Sequence, residues 1–365
     1  MSGETTGTRV AAQRCHNFHP PPDDDERDIW EQGLSPSNGQ VLRFADDDTL
    51  SSEIEHGCHI SCSPTRDLED PVNRNDEVFE DLTPCAVFVG QFGRYEGAPD
   101  GRAGTCRSPS SIDCACDGRL AIVDAETGSV QISARNGDCL SSFRVVGAQS
   151  ACFIDDAARG ELLAVATNSG VSICDLTGRV DKYLPVGTDV VAVAALRHGG
   201  GVFAAAHRNR ITICDRYKPT AVLRSLSSVR PLNALLGQSG MQFGNIVALA
   251  TTATPRLYVV DGAAVLAVDV DTGTLLQSIE TRLLCQPNAV AVDMVTGSVL
   301  VADSTTQRVM QFDADGDRRR CAVELANDDG RCVALAAGSR APDGHQLVYV
   351  VCRGVGFSEV RMYQI

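Results

Sequence analysis

Short apolar runs cut by turn residues fill the chain after residue 84, and the clearest set lies between Gln286 and Gly316, QPNAVAVDMVTGSVLVADSTTQRVMQFDADG. The runs AVAV, SVLVAD and RVMQFD alternate, favour β-branched residues and are bounded by Thr-Gly and Asp-Gly, so they predict three antiparallel strands rather than helix. Three such strands are most of a four-stranded propeller blade.

The same pattern recurs along the chain. A first unit runs from Ser111 to Val145 with Asp117-Gly118 and Asn136-Gly137 as hairpin turns, a second from Ala151 to Leu184, and a third from Val190 to Leu226. The fourth starts at either Pro231 or Asn245, because SVRPLNALLGQSGMQFG reads as an inserted loop or as the blade's own beginning. The Gln286–Gly316 unit is the fifth. The last supplies only three strands, within Arg331 to Ile365, while Cys85 to Phe92, CAVFVGQF, alternates and stands alone. Pairing that lone strand with the final three closes a ring and removes an open edge. The ends of the six second strands, Asp124, Thr167, His207, Asp261, Asp303 and Cys352, recur at intervals of 40 to 54 residues. Val130, Val171, Ile211, Val265, Val309 and Val360 fill one column of the third strands, as a β-branched core position would. The expected fold is therefore all-β: a six-bladed β-propeller over residues 85–365.

Pro287, Ala291 to Asp293, the VAD ending at Asp303, Arg308-Val309 and Phe312-Asp313 resemble the repeat that defines the NHL family. That resemblance implies a six-bladed propeller used as a non-catalytic interaction module. It is similar to the NHL domain of TRIM-NHL proteins, some of which bind single-stranded RNA through a basic face, although no RING, B-box or coiled-coil heptads are visible in this sequence. Ubiquitin-ligase activity does not carry over with the resemblance; the role it leaves open is that of a substrate or RNA adaptor.

Charge divides the chain. Of a net −15, residues 1–84 hold about −13, with PPPDDDERD and ADDD among runs that bury too little apolar surface to offset ordering entropy. Residues 1–84 are thus expected to be a disordered acidic tail, with Ile29-Trp30 and Val41 to Phe44 its only hydrophobic islands. The chain begins with no apolar leader and contains no membrane-length apolar stretch, which predicts a cytoplasmic protein with no membrane partner. Fifteen cysteines in such a compartment are expected to be reduced, with Cys174 and Cys214 packing inside apolar strands as small hydrophobes.

Candidate chemistry is sparse. A channel metal would need convergent His, Asp or Glu side chains, and the propeller region holds only His198, His207 and His345. Asp124, Asp261 and Asp303 share one face and could hold a cation, but an Asp at a strand end more often accepts turn amides, the reading also given to Asp175, Asp215, Asp269 and Asp313. In the tail, Cys58, Cys62 and the adjacent His56 and His59 lack the spacing of a zinc module. No catalytic residue, cofactor, metal or small-molecule substrate is expected. What remains is the face formed by blade-to-blade connectors and by the turns between second and third strands. There the sequence places Arg94, Tyr95, Arg107, Arg208, Arg230, Arg282, Arg308, Arg331, Arg353 and Phe357, with Glu96, Asp189, Asp328 and Asp329 diluting the charge. A mixed face predicts a protein partner, with single-stranded RNA as the alternative and a divergent propeller hydrolase or lyase as a third reading behind both.

Overall fold

A computed structural model describes residues 84–96, 104–156, 160–196, 200–218, 222–231, 240–279, 284–316, 319–340 and 344–365. The expectations for residues 1–83, including the disordered tail and the Cys58–Cys62 cluster, lie outside the described residues, as do His198 and Arg282.

The described residues form six radial antiparallel sheets, a six-bladed propeller. Blade 1 spans 109–144, blade 2 spans 148–184, blade 3 spans 192–226, blade 4 spans 246–279 and blade 5 spans 287–324. Blade 6 consists of Arg331–Arg340, Gln346–Gly354 and Phe357–Gln364, completed on the outside by Val87–Tyr95, which pairs antiparallel with Phe357–Gln364.

Blades are buried on both sides, which explains the continuous apolar runs. In blade 5, Val299 and Val301 face blade 4, while Leu300 and Ala302, one residue out of phase, face blade 6. Six hydrophobic clusters result, one between each pair of neighbouring blades, and the cluster of Ile112, Leu120, Tyr349 and Val351 joins blade 6 to blade 1. Val130, Val171, Ile211, Val265, Val309 and Val360 are all fully buried, so the third-strand column is the core position that the sequence suggests. Cys174 and Cys214 are buried as well, which pushes their thiols up to about 11 and about 12. None of the twelve described cysteines forms a disulfide.

Blade 4 begins at Ile246, immediately after Asn245. Pro231 instead ends an added edge strand, Ser228–Pro231, which runs parallel to the outer strand Thr274–Ile279 and pairs with Met241–Gln242. Val229 anchors this insertion in the core between blades 3 and 4.

On the opposite face, long side chains of outer strands reach the next blade's turn. Lys182 Nζ donates to the carbonyls of Arg216 (2.7 Å) and Lys218 (3.3 Å), and Arg224 donates to those of Asp271 and Thr272. These bonds satisfy turn carbonyls that would otherwise depend on water alone.

Candidate functional site

The inner strand of each blade runs from the connector face, called upper here, towards the lower face, so the six first strands line a central channel with a cavity volume of about 140 Å³. Most of its polar groups bond neighbouring strands, although the buried Asn288 Oδ1 has no hydrogen-bond partner among the described residues. Ser110 Oγ donates to Gln149 O (2.7 Å), Asn288 Nδ2 to Cys332 O (2.5 Å) and Thr251 Oγ1 to Ala195 O (2.6 Å), while Asp113 accepts from Phe153 N (2.8 Å). Among the described residues no group of three or more His, Cys, Asp or Glu is placed to hold a metal ion.

The carboxylates that end second strands are clasps. Asp303 accepts from Cys285 N and Gln286 N through Oδ2 (2.5 and 2.7 Å) and from Thr305 N and Thr306 N through Oδ1 (2.9 and 2.8 Å). It thereby ties the connector entering blade 5 to the turn leaving its second strand. Asp124 repeats this with Arg107 N, Ser108 N and Thr127 N, whereas Asp261 holds only the connector, through Gly244 N and Asn245 N. His207 occupies the same place in blade 3, with Nδ1 2.9 Å from Thr188 O. Desolvation by burial, chiefly, lowers the His207 pKa. Strand-end Asp175, Asp215 and Asp269 also accept turn amides.

The upper face at the seam between blades 6 and 1 gathers several of the residues singled out from the sequence. The closing strand brings Arg94 and Tyr95 beside Phe357, which opens its pairing partner. Arg94 lies over the Phe357 ring, 6.0 Å from its centroid, and Arg107 over the Tyr95 ring at 5.3 Å. Arg107 Nε donates to the Tyr95 hydroxyl (3.1 Å), a bond that raises the Arg107 pKa. Arg353 donates to Ser108 Oγ across the seam (2.7 Å), and Arg331 sits opposite Arg353 on the neighbouring strand.

Carboxylates answer these arginines. Arg94 meets Glu96 at 2.8 Å and the buried Glu359 at 3.7 Å, Arg107 meets Glu126 at 3.7 Å, and Arg361 bonds both Glu359 and Asp329 at 2.6 Å. Desolvation opposes the charge on Arg361, but the hydrogen bonds to Asp329 and Glu359 outweigh it and raise its pKa. Glu126 carries no signal in a single sequence beyond its turn position, because its partner Arg107 comes from a distant segment; Glu359 and Arg361 pair locally, two residues apart on one strand, and only their further partners Arg94 and Asp329 are distant. Two apolar tips flank the seam: Val355 is fully exposed beside Phe357, and Val146 is 82% exposed in the connector whose Val145 carbonyl abuts Gly128, two residues from Glu126.

The remaining candidates disperse. Arg208 is exposed in the blade 3 turn, and Arg308 is bound by Glu324 at the outer edge of blade 5 (2.6 Å). Arg230 is paired with Thr274, beside the turn after Asp269, so the edge insertion carries it away from the seam and towards the lower end of blade 4. Arg282 lies outside the described residues.

Against known proteins, the NHL repeat family matches residues 284–312, the segment that forms the first three strands of blade 5 together with the connector before them. The protein is therefore a six-bladed β-propeller that carries an NHL repeat. No curated protein matches the chain. No helix among the described residues is long and apolar enough to cross a membrane.

Proposed function

We propose that this protein is a non-catalytic, cytoplasmic interaction scaffold that binds a protein partner through the upper-face arc running from Val355 and Phe357 through Arg94, Tyr95 and Arg107 to Val146. The observation that carries the reading is the pairing of arginine with ring and carboxylate along that arc. Arginine and tyrosine bracketed by exposed aliphatic tips match the composition of protein-interface anchors. A phosphate backbone would instead need guanidinium groups not already matched by Glu96, Glu126 and Glu359. The use of Asp124, Asp261 and Asp303 as backbone clasps supports a structural rather than a catalytic role for the face.

The test compares two ligand classes. The full chain and an Arg107→Glu/Phe357→Ala variant are used to capture proteins from nuclease-treated extract, and both are titrated with a random single-stranded RNA pool at about 50 and 200 mM salt. Expected is a defined set of proteins lost with the variant, and no RNA binding that depends on the arc. Salt-sensitive RNA binding abolished by the same substitutions, with no protein lost, overturns the proposal in favour of an RNA-binding face.

A further inference from the structure

Across the upper end of blade 6, Arg331 pairs with Arg353, Arg353 with Ser358, and Ser358 with Tyr95. Directly paired residues project from one side of a sheet, and here that side faces the connector entering blade 1. Ser358 Oγ donates to the Cys106 carbonyl, Arg353 donates to Ser108 Oγ (2.7 Å), and Arg107 lies over the Tyr95 ring. The inner end of this row carries two like charges on opposed residues, an arrangement that destabilises a sheet unless a counter-charge answers it. Glu96, Glu126, Glu359 and Asp329 are engaged by Arg94, Arg107 and Arg361 instead. Among the described residues neither Arg331 nor Arg353 forms an ion pair. Gly330, at φ 73°, seats the chain so closely on the Arg353–Gly354 peptide that a Cβ there would lie 2.7 Å from the Arg353 carbonyl oxygen, which fixes Arg331 opposite Arg353. The bond to Ser108 engages one N–H donor of Arg353 and leaves the others, and Arg331 is exposed beside the upper mouth of the channel.

We infer that Arg331 and Arg353 form a carboxylate-binding site that receives an aspartate or glutamate side chain of the protein partner. The inference rests on the reading of the upper face as a protein-binding surface and names the chemistry that the partner presents there. Two adjacent planar forks suit one carboxylate, whose two oxygens accept from both guanidinium groups and supply the missing counter-charge. The surroundings favour a single acid over a chain of phosphates. Glu96, Glu126, Asp328 and Asp329 stand on the same face, so a lone carboxylate meets attraction at the pair, whereas the successive phosphates of a nucleic acid would run onto those acids. The Phe357 ring, packed against Gly354 next to Arg353, offers an apolar floor to the residues that flank the bound acid.

A display library of random linear peptides selected on the full chain tests it. Expected are enriched sequences that share an Asp or Glu beside an apolar residue, and a synthetic peptide of that sequence whose affinity falls roughly 10- to 100-fold with Arg331→Gln or Arg353→Gln. Changing the shared acid of the peptide to its amide costs the parent a similar factor and costs the Arg331→Gln variant little, because both changes remove one interaction. Arg331→Gln keeps the far-UV spectrum and a urea midpoint no lower than the parent's at low salt, since it relieves a like-charge pair, and Arg179→Gln at the exposed lower-face turn of blade 2 binds like the parent. Enriched peptides that depend on Arg107 and Phe357 but share no acid, or that bind Arg331→Gln unchanged, overturn the inference and leave the protein-binding reading standing. No enriched peptide that depends on the arc or on the arginine pair overturns both. A random single-stranded RNA pool that binds the parent and is lost with Arg331→Gln overturns the inference in favour of a phosphate site.

Discussion

Removing the Asp303 carboxylate is expected to cost far more than removing its counterpart in blade 4. Asp303 is fully buried and holds four backbone amides, two from the connector and two from the turn. Asp124, almost as buried, holds three, and the more exposed Asp261 holds two. A hydrogen bond to a charged group contributes about 1.5–3 kcal/mol, and bonds that share one acceptor are not additive. Asp303→Ala should therefore lose roughly 4 kcal/mol, Asp124→Ala about 3 and Asp261→Ala about 1–2. Asp303→Asn is a sharper probe, because its amide nitrogen must face two N–H donors; about half of the alanine loss or more is expected. Urea unfolding followed by circular dichroism gives the ranking, provided the slope with denaturant is unchanged. Equal losses for Asp303→Ala and Asp261→Ala, or a loss below about 1 kcal/mol for Asp303→Ala, would refute the clasp as the reason for the carboxylate.

Three further outcomes follow from the same geometry. Gln307 takes φ 55° at the turn position where blade 1 has Gly128 at φ 66°, and its buried Oε1 has no hydrogen-bond partner, so Gln307→Gly should raise stability by about 0.5–1 kcal/mol in urea unfolding. Gly137 has φ 92°, and a Cβ there would lie 2.2 Å from the Phe92 ring of the closing strand; Gly137→Ala should lower the melting temperature and speed amide exchange in residues 87–95. Burial lowers the His207 pKa below its usual 6.5, so its contribution to stability is present above that value and lost as pH falls through the folded-state value; the urea midpoint should drop as pH falls below about 6.5, and His207→Gln should remove that part of the slope.

Much of the fold was legible because propeller blades bury both faces, so strand length, turn residues and a fully buried β-branched column leave a strong local trace. The start of blade 4 was not, because Pro231 and Asn245 both follow turn-like sequence and only the parallel pairing of Ser228–Pro231 with Thr274–Ile279 separates insertion from blade. The upper face was legible in part. Arg94, Tyr95, Arg107, Arg331, Arg353 and Phe357 come together because the closing strand and the first residues of blade 1 meet at one seam. Arg308 shows the limit: its cross-strand partner Glu324 lies sixteen residues away, a pairing set by blade register rather than by local pattern.

The most direct measurement of the interaction face is site-specific photocrosslinking in cells, with a benzophenone side chain placed at Phe357 in the arc or at the exposed Tyr217 on the lower face. The account predicts a discrete protein adduct from position 357, resistant to nuclease and absent when Arg107→Glu is added, with none from position 217. Adducts of equal strength at both positions, or an adduct at 357 that disappears with nuclease treatment, would contradict it.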